Sequence, residues 1–171
     1  MKALIIGRFQ PLHLGHVDLI YKTHSLGYEI IIGVGNNNKR TPKYPFTFCE
    51  VKKMLELTLR IPFKVYFIPD IEYDSEYAPH VEKITGATSV DTMLVSGNPH
   101  TIECFTQYGH KYKVLRPGYD FEVEYKDISG TRIRELMQKN DHWQKLVPNS
   151  VKEFLENSEG VEKVKESHRN I

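Results

Sequence analysis

At 171 residues, with 40% hydrophobic and 26% charged side chains and a formal net charge of +1, the chain has the make-up of one soluble domain with a substantial core. That balance gives no support to a nucleic-acid or membrane partner; no apolar run is long enough to span a bilayer, and the four apolar residues after Lys2 are too few for a signal peptide. The two cysteines, Cys49 and Cys104, lack metal-type spacing and are read as free thiols, so a cytoplasmic single domain over residues 1–171 is expected.

Strand and helix patterns alternate along the chain. Residues 3–6, Ala-Leu-Ile-Ile, are an apolar run read as a buried strand. Gly7 ends it and lets the backbone approach a ligand, and Pro11 holds a turn. A helix is expected over 14–25, with Leu12, Val17, Leu19, Ile20 and Tyr21 as apolar candidates. His13 and His16 stand three apart, on one face of that helix start. A strand, a glycine turn and a helix N-terminus make an anion site, because free N–H groups and the helix dipole face it. Two imidazoles aimed at such a site point to phosphate chemistry.

Residues 29–34 read as a second strand, bounded by Gly27, Gly33 and Gly35. The polar loop over 36–43 has too little apolar surface to pack and is read as mobile or as a ligand lid. Thr47, with Glu50 three residues on, fits a capping box that opens a helix to about residue 60. A third strand over 65–68 leads into the loop Pro69-Asp70-Ile71-Glu72-Tyr73-Asp74, then a helix over 77–84 ending at Gly86. A fourth strand over 92–95, the turn Ser96-Gly97-Asn98-Pro99, a helix over 100–108 and a fifth strand over 111–115 follow. Ser129 caps a helix to about residue 139, with Ile133, Leu136 and Met137 on its apolar side. Pro148 and Ser150 open a last helix, and the charged end over 162–171 is expected to fray, most of all from 166 on.

This alternation predicts an α/β fold: a Rossmann-like, doubly wound parallel sheet with helices on both faces and C-terminal helices appended. In such sheets ligands bind beyond the carboxyl ends of the strands, at the switch point. Residues 7–16, 70–74, 96–98 and the loop before Ser129 all fall at predicted strand ends, so one site is expected there.

Gly7-Arg8-Phe9-Gln10-Pro11-Leu12-His13-Leu14-Gly15-His16 resembles the G-R-F-x-P-x-H-x-G-H signature of the HxGH nucleotidyltransferase superfamily. Ile128-Ser129-Gly130-Thr131-Arg132-Ile133-Arg134 resembles its I-S-x-T-x-I-R motif. Arg132 and Arg134 are two apart, about 200° around a helix, so they do not share a target. With Tyr44-Pro45-Phe46-Thr47, Asp70-Ile71-Glu72, Ser96-Gly97-Asn98-Pro99 and the stretch from Asp141-His142-Trp143 to Pro148, the resemblance covers nearly the whole chain. It points to the archaeal type of nicotinamide-nucleotide adenylyltransferase.

The resemblance implies transfer of an adenylyl group from ATP to nicotinamide mononucleotide (NMN), giving NAD and pyrophosphate, with Mg²⁺ accompanying ATP. It assigns His13, His16 and Arg134 to catalysis. Gly7, Arg8, Phe9, Gln10, Lys43, Ser129 and Thr131 join them in holding ATP, and Asp70, Asp74, Tyr77, Gly97 and Asn98 line the acceptor side. No protein side chain is assigned to a metal, and a homo-oligomer is implied. Lys43, Asp74 and Tyr77 stand where the family usually has arginine, asparagine and tryptophan, and Glu50-Val51 replaces a Glu-Arg pair. An acceptor such as phosphopantetheine or flavin mononucleotide (FMN), or a non-catalytic nucleotide sensor, are the alternatives.

Overall fold

Ala3, Leu4 and Ile5 are almost wholly out of solvent in β1 (Lys2–Gly7), as in a strand covered on both faces. In chain order follow α1 (Leu14–Ser25), β2 (Glu29–Asn36), α2 (Phe48–Thr58), β3 (Phe63–Pro69), α3 (Tyr77–Thr85), β4 (Thr92–Val95), α4 (Pro99–Thr106), β5 (Lys113–Leu115), α5 (Gly130–Gln138), α6 (Asn149–Asn157) and α7 (Gly160–Arg169). The five strands form one sheet of order β3-β2-β1-β4-β5. β1 runs parallel to both neighbours, Ala3 lying opposite Ile30 and Met93, and β4 runs parallel to β5 with Val95 opposite Leu115. The order reverses beside β1, which is the switch point of the expected Rossmann-like fold.

The computed structural model describes residues 1–36 and 39–169. Asn37 and Asn38, in the loop expected to be mobile or a lid, and Asn170 and Ile171, in the end expected to fray, lie outside the described residues. The chain divides into two compact units, one of Met1–Gly7, Leu19–Gly35 and Ile61–Val123, the other of Arg8–Asp18, Asn36–Arg60 and Glu124–Ile171.

The first unit holds the sheet. Leu4, Ile31, Ile68 and Leu94 from its strands pack with Ala78 and Val81 of α3 and Cys104 and Phe105 of α4. Each large apolar side chain buried this way contributes about 1.5–3 kcal/mol. The Phe105 ring meets Tyr77 and Tyr112 edge-on, and the Tyr112 hydroxyl donates to Glu82 at 2.9 Å. α3 stops as expected at Gly86, whose φ of 69° is left-handed and costs glycine least.

The second unit is helical. The predicted capping box is present: the Glu50 N–H donates to Thr47 Oγ1, and the Glu50 carboxylate accepts from the Thr47 N–H at 2.7 Å. α6 packs on α2 and α7, and α5 on α7. Trp143 is buried, a packing residue.

The charged end differs from the sequence expectation. Residues 160–169 form α7, with Gly160, Val164 and Ser167 buried. A Cβ at Gly160 would come within 2.7 Å of Leu155, so the helix sits too close for any side chain there. Lys163 of α7 donates to Glu50 at 2.7 Å, and Arg40 grips the same carboxylate at 2.9 and 3.1 Å. Burial works to raise the Glu50 pKa, but Arg40, Lys163 and the Thr47 N–H outweigh it and bring it to about 2. Arg40 thus ties the described part of the polar loop to α2. Among the described residues, no helix is long and apolar enough to cross a membrane.

Candidate active site

His13 directly precedes α1 and caps it. The His16 N–H donates to His13 Nδ1 at 3.4 Å, and the His13 N–H donates to His16 Nδ1 at 3.4 Å. This is a capping box built from imidazoles. The rings stack with centroids 3.6 Å apart and planes 24° from parallel. Because both Nδ1 atoms accept, each neutral ring carries its proton on Nε2 and is a donor there. Gly15 lies between the pair: a Cβ would stand 3.0 Å from the Tyr125 carbonyl and 3.2 Å from the His13 ring. A side chain there would push the stack apart.

Burial takes the His13 imidazole down to about 4. His16 is held well below the ordinary value, first by burial and then by the His13 charge. Both rings are therefore neutral at pH 7. Between about pH 4 and 6.5 the unfolded chain binds protons at these positions that the folded chain refuses, so stability rises with pH across that window. Tm should fall as pH is lowered from about 6.5 toward 4, and His13→Gln should flatten that fall. An equal slope in the variant would show that His13 does not carry the dependence.

Phe9 takes a φ of 50°, left-handed for a non-glycine residue, at a cost of about 1–3 kcal/mol. Its ring is buried and packs on His16 at 4.7 Å. Gln10, expected to join in holding ATP, also braces the turn. Its side chain is 3% exposed and its amide is spent on the Phe46 backbone, donating at 2.8 Å and accepting at 2.9 Å. It positions the loop and leaves only its main chain to meet a ligand.

A cavity of about 290 Å³ in the second unit is lined by Arg8, Phe9, Gln10, His16, Lys43, Tyr44, Gly130, Thr131 and Arg134. Three cations and no carboxylate face it. Arg134 Nη1 donates to the Gln10 carbonyl at 2.7 Å and Nη2 to Thr131 Oγ1 at 3.3 Å, so the guanidinium fork is aimed before any ligand arrives. Ser129 caps α5 by accepting from the Arg132 N–H at 3.2 Å. Gly130 allows the close approach: a Cβ there would stand 2.8 Å from the Gln10 carbonyl oxygen. Tyr44 had no assigned role in the sequence reading. Its ring lies 4.8 Å from the Arg8 guanidinium, a cation–π contact. The one signal for it was an aromatic residue inside the Tyr44-Pro45-Phe46-Thr47 stretch.

The residues assigned to the acceptor lie in the first unit, with Gly7, which ends β1 opposite Val34. Asp70 follows β3, Asp74 opens the 3₁₀ turn Asp74–Glu76, and Tyr77 begins α3. Gly97 follows β4 and is exposed, and Asn98 caps α4 by accepting from the His100 N–H at 3.0 Å. These positions share the carboxyl edge of the parallel sheet.

The chain matches the cytidylyltransferase-like family over residues 4–136. It is 34% identical over 172 residues to the nicotinamide-nucleotide adenylyltransferase of Thermococcus sibiricus, covering 96% of this chain and 88% of that one. It is 35% identical to the enzyme of the same name from Methanococcus aeolicus, covering 96% and 94%. Among solved structures, it resembles a bifunctional NMN adenylyltransferase/ADP ribose pyrophosphatase from Francisella tularensis, complexed with AMP and a Mn ion. The TM-score is 0.72 at 20% identity, with 97% of this chain covered, and the chain spans about half (51%) of that one.

Proposed function

Because the chain belongs to the cytidylyltransferase-like family, we infer that it transfers the adenylyl group of ATP to nicotinamide mononucleotide, giving NAD and pyrophosphate. The observation that carries this reading is the pocket in which His16, Lys43, Arg8 and Arg134 face one space without a carboxylate. Such a lining suits a triphosphate.

An oxygen of the NMN 5′-phosphate bonds to the α-phosphorus of ATP. The bond from that phosphorus to the bridging oxygen breaks, and pyrophosphate leaves with the electron pair. The attacking phosphate has a second pKa of about 6 and is already ionised at neutral pH, so no general base is needed. Positioning and charge stabilisation supply the acceleration. The Nε2–H groups of His13 and His16 donate to phosphate oxygens as charge develops. Arg134, held by Gln10 and Thr131, turns its remaining N–H groups to the β- and γ-phosphates. Lys43 adds charge without a fork. Arg8 adds a further cation, Gly7, Phe9 and Gln10 offer main chain, and Ser129 and Thr131 add neutral donors. Mg²⁺ bound to ATP would shield the triphosphate charge, a task that Arg8, Lys43 and Arg134 of the lining would share.

On the acceptor side, Tyr77 offers its ring to the nicotinamide, and Asp74 accepts from the carboxamide N–H but cannot donate to its oxygen. Asp70, Gly97 and Asn98 complete that wall. A homo-oligomer is the assembly we assign, to be read by light scattering. The function is tested by incubating the protein with ATP, Mg²⁺ and NMN, phosphopantetheine or FMN and weighing the product. NAD from NMN is the expected result. Turnover of another acceptor alone would overturn the assignment, and ATP binding with no pyrophosphate released would favour a sensor.

A further inference from the structure

In the first unit, His100 and Cys104 stand four apart on α4 and so share one face of that helix. The 3₁₀ turn Asp74–Glu76 packs against α4. Its first residue brings a third donor: one ligand atom each from Asp74, His100 and Cys104 lie within 4.8 Å of one another. The Asp74 carboxylate is 3.5 Å from His100 Nε2. Two ligands of a tetrahedral zinc ion, with bonds of about 2.0–2.2 Å, stand about 3.3–3.5 Å apart, so this edge already has the required length. The exposed Asp74 and His100 side chains need to close on the sulfur by about 1 Å to complete a three-ligand face.

We propose that Asp74, His100 and Cys104 form a site for a zinc-class divalent cation, with water as the fourth ligand. The donor set decides the class. Sulfur and imidazole nitrogen favour zinc or cobalt, whereas magnesium takes oxygen alone. Burial shapes the site as well. Cys104 is 3% exposed and packs in the core of the unit, which fixes its sulfur, while Asp74 and His100 are exposed and open the ion's path from solvent. Burial, then the Asp74 carboxylate, holds the Cys104 thiol above its ordinary pKa. It is therefore protonated at neutral pH in the empty site and gives one proton to solvent when the cation binds.

The test uses the full chain, stripped with a chelator, dialysed and titrated with cobalt chloride. One equivalent per chain should bind with a thiolate-to-cobalt charge-transfer band, and added zinc sulfate should displace it. His100→Ala changes an exposed side chain and should weaken cobalt binding at least tenfold with the fold intact by circular dichroism. Cys104→Ser should abolish the band, and Cys49→Ser should leave it. No thiolate band, unchanged affinity in His100→Ala, or loss of the band in Cys49→Ser would each overturn the proposal. Asp74 is shared with the acceptor side, and because the readout does not pass through turnover, the cation site is tested separately from the assignment of the acceptor.

Discussion

His16→Ala should lower kcat by about 10²–10³-fold, the usual cost of removing one preorganised donor from developing charge. The Kd for ATP should rise far less. In the proposed reaction the neutral Nε2–H of His16 would meet a triphosphate in both ground and transition states, but only the growing charge of the latter would reward it, and interactions of that kind appear in kcat. Stacking against His13 and packing of Phe9 on its ring fix where that N–H points. His16→Gln should recover part of the rate, since its amide can donate from nearby without the stack. Single-turnover kinetics beside calorimetric ATP binding separates the two effects. An unchanged single-turnover rate in His16→Ala would remove the residue from the mechanism.

Arg134→Lys should reduce kcat/KM for ATP by about 10–10²-fold, the equivalent of one lost charge-assisted hydrogen bond of about 1.5–3 kcal/mol. The guanidinium spends one arm on the Gln10 carbonyl and another on Thr131, and has N–H groups in the same plane left for phosphate. A lysine ammonium is a compact charge with no planar fork, so it cannot hold its seat and meet the ligand in the same geometry. Arg134→Ala should lose more than Arg134→Lys, because charge as well as direction goes. Steady-state kinetics at saturating NMN reads the difference. A lysine variant with wild-type kcat/KM would reduce Arg134 to a source of positive potential.

Local features were legible in the chain and distant ones were not. The alternation of strands and helices is plain because parallel strands are buried on both sides and read as unbroken apolar runs. The Thr47–Glu50 box and the Ser129 cap are contained within a few residues. The His13–His16 pair announced itself by spacing, although its mutual capping is a fact of ring orientation. The seat of the Gln10 side chain was hidden because its partner, Phe46, lies 36 residues away, and nothing local says that its amide is consumed. α7 was missed because Gly160, Val164 and Ser167 are the buried positions of a stretch otherwise made, apart from Val161, of lysine, glutamate and other polar residues. Its apolar stripe is too thin to stand out from the charge. Cys104 was measured against Cys49, when the informative neighbour was His100, one helical turn back. Asp74, on a different element, could not be added without the fold.

The Glu50 carboxylate has a consequence for how the molecule comes into being. It joins Arg40, in the loop that carries Lys43, to Lys163 of α7, 113 positions beyond Glu50. Arg134 in turn reaches back 124 positions to the Gln10 carbonyl. A chain still emerging from the ribosome therefore exposes its histidine signature long before the groups that brace and complete the phosphate cradle exist. The cavity wall is therefore braced only after the segments carrying Arg134 and Lys163 have been made and have folded back on the first.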